Sequence, residues 1–216
     1  IHCGIDPSRF MPPPRRHREG PVRLLTIGRL VEKKGTVDLV EAIAILRGKG
    51  HDLWLTVCGV GPQRTRIERT AARRGIAGYV SLIGAVPNRH VADLFAGHDL
   101  FALPSKTARN GDREGIPVTI MEALAAGMPV LSTRHSGIPE AFPESCRPML
   151  AAEGDVTDLA AKLELLLARR ASWDELGREG RDWIERHFSQ ATELDRYMDL
   201  LGRVTESRNV EGAPAR

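Results

Sequence analysis

Short apolar runs alternate with helix-patterned segments along most of this chain, and no other feature limits its fold so tightly. Strand-like runs fall at residues 22–27, 53–57, 79–83, 100–103 and 130–132, with a sixth expected near 148–150. Between them, apolar residues recur at helical spacing over 36–46 (Val37, Val40, Ile43, Ala44), 63–73, 88–96 and 117–126. Several strands are continuously apolar instead of alternating, as happens when helices cover both faces of a parallel sheet. The alternation therefore predicts an α/β fold, a Rossmann-like doubly wound parallel sheet with right-handed crossovers. In such sheets ligands bind beyond the carboxyl ends of the strands, in the loops that lead into helices.

The flanks read differently. Residues 1–20 carry Pro7, Pro12, Pro13, Pro14 and a charged run without apolar period, the pattern of a linker or lead-in. Residues 21–170 hold the sheet domain. From about Asp155 the pattern is helical only, with a stripe of Leu159, Leu163, Leu166 and Leu167. Ser172 and Glu175 are spaced as a capping box. Two helices are expected between 173 and 204, broken at His187-Phe188-Ser189. Residues 171–205 thus form a C-terminal helical extension, and 206–216 a frayed tail.

At 216 residues the chain has room for one substantial core. Its 42% hydrophobic and 27% charged residues exclude global disorder. No apolar run approaches the ~20 residues of a membrane span, and no signal-peptide pattern opens the chain. Cys3, Cys58 and Cys146 lack zinc-site spacing and suggest reduced thiols in a cytoplasmic protein. A net charge of +3 is too small to point to nucleic acid. Basic clusters at Arg15, Arg16, His17 and Arg18, and at Arg66, Arg69 and Arg73, read as solvated faces. Contact with anionic lipid headgroups is the alternative, and would place the protein at the inner face of the plasma membrane. The sequence opens on Ile1 instead of Met, so a fragment or processed product is expected.

Two stretches carry candidate chemistry. Gly28 and Arg29 follow the first strand directly, with Lys33, Lys34 and Gly35 just beyond. Glycine lets the backbone approach a ligand, and Arg29 and Lys34, two cations at a strand's carboxyl end, suit a diphosphate. The second stretch runs Glu114-Gly115-Ile116-Pro117-Val118-Thr119-Ile120-Met121-Glu122 and on to Gly127. Pro117 suits a first helical turn and Gly127 a left-handed helix cap, so free amides near 117–119 can receive a phosphate. Glu114 and Glu122 then make sense as acceptors for sugar or ribose hydroxyls.

Rival motifs fail. Gly59-Val60-Gly61 follows a strand, but the third glycine of a dinucleotide fingerprint falls on Arg64. No phosphate-binding loop of the NTPase type occurs. Asp112-Arg113-Glu114 reads as a polar loop and not a metal site, and the seven histidines show no ligand spacing.

Glu114 and Glu122, separated by seven residues, match the paired-glutamate motif of retaining GT-B glycosyltransferases of family 4, also called group 1. Gly28-Arg29-Leu30 with Lys34-Gly35 resembles that family's phosphate-binding Arg and Lys. Residues 121–130 resemble its helix and following strand, Ser136-Gly137-Ile138-Pro139-Glu140 its next loop, and Cys3-Gly4-Ile5-Asp6 with Phe10 its interdomain linker. The likeness spans about residues 2–205. Pro104-Ser105 and the Asn110-Gly111-Asp112-Arg113 insertion look most like bacterial exopolysaccharide transferases of the colanic-acid type. Gly115-Ile116-Pro117 departs from the Gly-Phe-Gly of many relatives, which narrows the subfamily.

The resemblance implies the C-terminal, donor-binding half of a two-domain enzyme, with an acceptor-binding N-terminal domain missing. It implies transfer from a nucleoside-diphosphate sugar, such as a UDP-sugar, to a glycan or lipid-linked acceptor, with retention and without a metal or other cofactor. Arg29 and Lys34 would hold the diphosphate together with amides from Ile116 to Thr119. Glu122 would accept from ribose, Glu114 would contact the donor sugar, and backbone from Ile83 to Val86 would border the base. A nucleotide-sugar epimerase of the same architecture and a non-catalytic binding module remain as alternatives.

Overall fold

The computed structural model describes residues 3–11 and 20–211, with side chains as far as Arg203. The basic cluster at Arg15 to Arg18 lies outside the described residues. Five strands, β1 (Val22–Ile27), β2 (Leu53–Cys58), β3 (Val80–Gly84), β4 (Leu100–Ala102) and β5 (Val130–Leu131), form one parallel sheet in the order β3-β2-β1-β4-β5. Each agrees with its expected run to within a residue or two. The sixth does not form. Residues Arg147–Met149 make a 3-10 turn, and only a single bridge between Thr133 and Ala151 extends the pairing beyond β5. Pro148, with no amide to donate, sits where a ladder bond would be needed.

Helices α1 (Thr36–Gly48), α2 (Arg64–Arg73), α3 (Val91–Gly97), α4 (Val118–Ala125), α5 (Val156–Ala168), α6 (Trp173–His187) and α7 (Gln190–Glu211) complete the chain. The helix expected over 88–96 begins as a 3-10 turn, Asn88–His90, before α3. Successive β1 side chains serve opposite faces. Leu24 joins a core built with α1, α2 and α5, while Leu25 and Ile27 join one built with α3, α4 and α6. Two separate cores explain why β1 is apolar along nearly its whole length.

Helix ends follow local chemistry in most places. Asp155 caps α5 by accepting from the amides of Thr157 and Asp158, each at 2.9 Å. Ser172 does not cap α6. Residues Arg170–Ser172 already coil as a 3-10 turn, so Ser172 lacks the extended conformation a capping residue needs, and the expected capping box is not made. The break between α6 and α7 falls where the sequence places it. The backbone of α7 is helical to Glu211, and residues 212–216 lie outside the described residues.

The described part of the lead-in, residues 3–11, is held by specific bonds. Asp6 caps the 3-10 turn Pro7–Arg9, accepting at 3.0 Å from the Ser8 amide and 2.6 Å from its hydroxyl. Those bonds hold its carboxyl below the usual aspartate range. Ile5 pairs its backbone with Phe188 and Gln190, and Ile5 and Phe10 are buried in the α3–α4–α6 core. Residues 3–11 are therefore docked on the sheet domain.

Candidate functional site

The order β3-β2-β1-β4-β5 reverses direction between β1 and β4, and the exits of these two strands open the crevice where such sheets take ligands. Beyond β1 the chain passes Gly28, Arg29 and Leu30, then makes the 3-10 turn Glu32–Lys34 and enters α1 through Gly35. Glycine is required at 35 because its φ is +65°, and a Cβ there would lie 1.9 Å from the Pro104 carbonyl oxygen in the loop after β4. Lys34 folds back over Gly28, so that a Cβ on Gly28 would lie 3.5 Å from Lys34 Cε. The exits of β1 and β2 are laced in the same way. Gly28 donates to Cys58, and a Cβ on Gly59 would meet the Gly28 carbonyl at 1.9 Å. Gly59 thus serves backbone packing, a physical reason for its presence without a dinucleotide.

Opposite this turn, residues 108–117 lead from β4 into α4. The helix starts one residue later than expected: Pro117, at φ −63° and ψ 126°, is the extended residue before it. Ile120 bonds back to Pro117 at 3.0 Å, whereas the amides of Val118 and Thr119 have no backbone acceptor among the described residues. At the start of a helix such free amides carry a partial positive charge. The Thr119 hydroxyl donates to the Ile27 carbonyl at 3.4 Å, which sets the start of α4 over the end of β1. At the other end Gly127 takes φ +66°, and the Gly127 and Met128 amides bond to Leu124 and Ala123. That is the left-handed cap its sequence predicts. The loop at 136–140 supports the entry to α4, since a Cβ on Gly137 would lie 3.1 Å from the Ile116 side chain.

Glu114 sits between two lysines. Lys34 Nζ lies 3.1 Å from its Oε2 and Lys33 Nζ 3.3 Å from its Oε1, and all three side chains are only 12% exposed. Lys33 also reaches Asp112 at 3.0 Å and donates to the Arg113 carbonyl at 3.1 Å. Its bond to Asp112, with Glu114 adding to it, holds the ammonium above the ordinary lysine range despite its desolvation. Glu114 Oε1 is buried and receives no well-directed hydrogen bond, so this carboxylate keeps acceptor capacity to spare. Arg29 is exposed at the β1 exit, with no ion pair among the described residues.

Glu122 lies one turn beyond Thr119 on α4, on the same face. It is partly buried, no hydrogen bond is described for its carboxylate, and desolvation pushes its carboxyl up, with the charge of Arg9 opposing that rise. Ile83 and Val86 stand at the exit of β3, across β2 from β1. Ile83 is exposed, Val86 is half-buried, and the Gly84 carbonyl between them accepts from Gly59 at 2.7 Å. The structure therefore brings Gly28, Lys34, Glu114 and the start of α4 together, leaves Arg29 exposed at the β1 exit and Glu122 one turn into α4, and places Ile83 and Val86 farther along the sheet edge. Sequence reasoning gave no role to Lys33, His135 or Glu153. The imidazole of His135 is buried between Glu153 and the backbone of Glu114, a link between loops that no local spacing reveals. Among the described residues, no group of three His, Cys, Asp or Glu side chains could hold a metal ion.

A parallel sheet with a cationic turn and a helix start at its switch point is the arrangement in which open α/β domains take anionic ligands. Residues 8–183 match the model of the glycosyl transferases group 1 family, and the chain belongs to that family. It is 36% identical over 201 residues to the amylovoran biosynthesis glycosyltransferase AmsK of Erwinia amylovora, covering 93% of this chain and 49% of that protein. To the putative colanic acid biosynthesis glycosyltransferase WcaL of Escherichia coli it is 35% identical over 190 residues, covering 87% and 46%. Sucrose-phosphate synthase from Thermosynechococcus elongatus shares the fold at a TM-score of 0.79 and 22% identity, over 95% of this chain and 52% of that one. The chain thus spans about half the length of the curated relatives it matches.

Proposed function

We propose that this chain is the donor-binding half of a retaining glycosyltransferase, and that it holds a nucleoside-diphosphate sugar in the crevice between β1 and α4. The observation that carries this reading is the convergence of Lys34, Glu114 and the amino end of α4 on one opening. A diphosphate seated there meets Arg29, the Lys34 ammonium and the amides of Val118 and Thr119. These groups stabilise the negative charge that grows on the leaving nucleoside diphosphate, the work a metal ion does elsewhere. Lys34 is shared between Glu114 and the arriving phosphate, which frees a Glu114 oxygen for hydroxyls of the donor sugar. Glu122 accepts from the ribose, and the backbone around Gly84 borders the base.

The relatives' names suggest exopolysaccharide assembly as the setting, with a growing glycan or lipid-linked saccharide as acceptor. Half of the relatives' length lies outside this chain, and we assign acceptor binding to a second domain and expect this half alone to be inactive in transfer. No helix among the described residues is long and apolar enough to cross a membrane. We place the protein in the cytoplasm, with peripheral membrane contact through its basic faces. Calorimetric titration of the whole protein with UDP-glucose, GDP-mannose and ADP-glucose tests the reading. At least one should bind, and binding of none would remove it.

Glu122 gives a test with two opposite signs. Its carboxyl is raised in the folded protein, so the folded state holds the proton more tightly than the unfolded chain. Stability is then lost as pH rises from the ordinary glutamate range, ~4.3, through the higher folded value. Glu122→Gln is expected to raise the Tm at pH 7, with the gain fading at pH 4. The same variant should bind nucleoside diphosphate several-fold more weakly and leave pyrophosphate affinity unchanged. Equal losses for both ligands in calorimetry would contradict the ribose role.

A further inference from the structure

Glu114 is held from the front by two lysines, but its main chain belongs to a loop with no regular structure between β4 and α4. What fixes that main chain comes from behind. The Glu114 amide donates to His135 Nε2 at 3.2 Å, and His135 is 2% exposed. Because Nε2 accepts, the imidazole proton resides on Nδ1, which donates to Glu153. Glu153 in turn accepts from the Thr107 hydroxyl at 3.1 Å. Burial alone would raise the Glu153 carboxyl, yet the bonds from His135 and Thr107 bring it below the usual glutamate range. The tautomer of His135 is thus set by a carboxylate, and its one lone pair is aimed at a single backbone amide.

We propose that His135 is a positioning residue for donor-sugar recognition: its Nε2 fixes the backbone of Glu114, and so the place where the Glu114 carboxylate meets the sugar hydroxyls. This inference rests on the donor-binding reading above. The diphosphate and ribose contacts lie on Arg29, Lys34, Glu122 and the start of α4, none of which bonds to His135. Loss of the His135 contact should therefore weaken recognition of the sugar and spare recognition of the nucleotide. A merely structural imidazole would weaken both.

Two conservative variants separate these outcomes. In His135→Asn the side chain can still donate to Glu153 but is too short to reach the Glu114 amide. In His135→Gln an oxygen can reach the Nε2 position. Binding of UDP-glucose, GDP-mannose and ADP-glucose, and of UDP, GDP and ADP, is measured calorimetrically on the whole protein. For whichever sugar nucleotide the unmodified protein binds, His135→Asn is expected to weaken binding roughly tenfold, the scale of one lost hydrogen bond and an unpaired amide. The matching nucleoside diphosphate should stay within twofold, and His135→Gln should bind both as the unmodified protein does. Unchanged sugar-nucleotide affinity in His135→Asn, or equal loss of both ligands, overturns the positioning role. Should His135→Asn fail to melt cooperatively, His135→Leu, which fills the buried position but cannot accept from the Glu114 amide, takes its place: a selective loss of sugar nucleotide supports the role, and unchanged affinity or an equal loss of both ligands overturns it. If the unmodified protein binds the nucleoside diphosphates but none of the sugar nucleotides, the donor reading fails first and the inference falls with it.

Discussion

Lys34→Ala is expected to weaken nucleoside-diphosphate binding by ~1.5–3 kcal/mol, roughly ten- to a hundredfold in Kd, the worth of a hydrogen bond to a charged group. Like Lys33, the residue is largely buried and contacts Glu114, but of the two it alone packs on Gly28. Its stem lies over Gly28 at the exit of β1, its ammonium is 3.1 Å from Glu114, and its side chain is mostly withdrawn from solvent. Removing it takes away one cation and also leaves Glu114 with Lys33 alone, which already serves Asp112 at 3.0 Å. The carboxylate then faces the incoming phosphate with less compensation, so both consequences act against binding. Lys33→Ala should cost less affinity, because Lys33 is tied to Asp112 and to the Arg113 carbonyl. Calorimetric titration of both variants with UDP and GDP distinguishes the two lysines. Unchanged affinity in Lys34→Ala would mean that the anion sits elsewhere.

What the sequence revealed of this arrangement was its local part. The central strands were legible because burial on both faces makes them largely apolar, and β1 shows why, with Leu24 in one core and Leu25 in the other. Gly127 was legible because only a residue at ease with positive φ ends a helix in that way. The expected strand at 148–150 failed since an apolar run containing Pro148 looks the same to periodicity whether it pairs or coils. Ser172 failed as a cap because residues 170–172 already coil as a 3-10 turn, which the spacing to Glu175 does not reveal. The paired glutamates and Lys34 stood out as sequence motifs. His135 and Glu153 did not, because their contacts join residues 18 and 21 positions apart across three loops. The order of adjacent lysines was equally silent, since only the turn at 32–34 makes both of them face Glu114.

The same turn carries the largest expected effect on stability. Gly35→Ala should destabilise the protein by roughly 2–5 kcal/mol, combining ~1–2 for a left-handed residue with a side chain and ~1–3 for overpacking. The φ of +65° is one part, and the Pro104 carbonyl oxygen 1.9 Å from the added carbon is the other. That oxygen belongs to backbone, which cannot swing aside as a flexible side chain can. Relief requires the 32–35 turn to move away from the loop after β4, breaking the bond from the Lys106 amide to the Lys33 carbonyl at 2.9 Å. The cations would move with it, so donor affinity should fall together with stability. Gly111→Ala isolates the conformational part, because Gly111 has φ +82° with nothing within 4 Å of an added Cβ. Its cost should stay near ~1–2 kcal/mol, with donor binding retained. Urea denaturation of both variants measures the difference. Equal costs would show that the turn has room to shift, and that the close approach of Gly35 to Pro104 does not fix the place of Lys34.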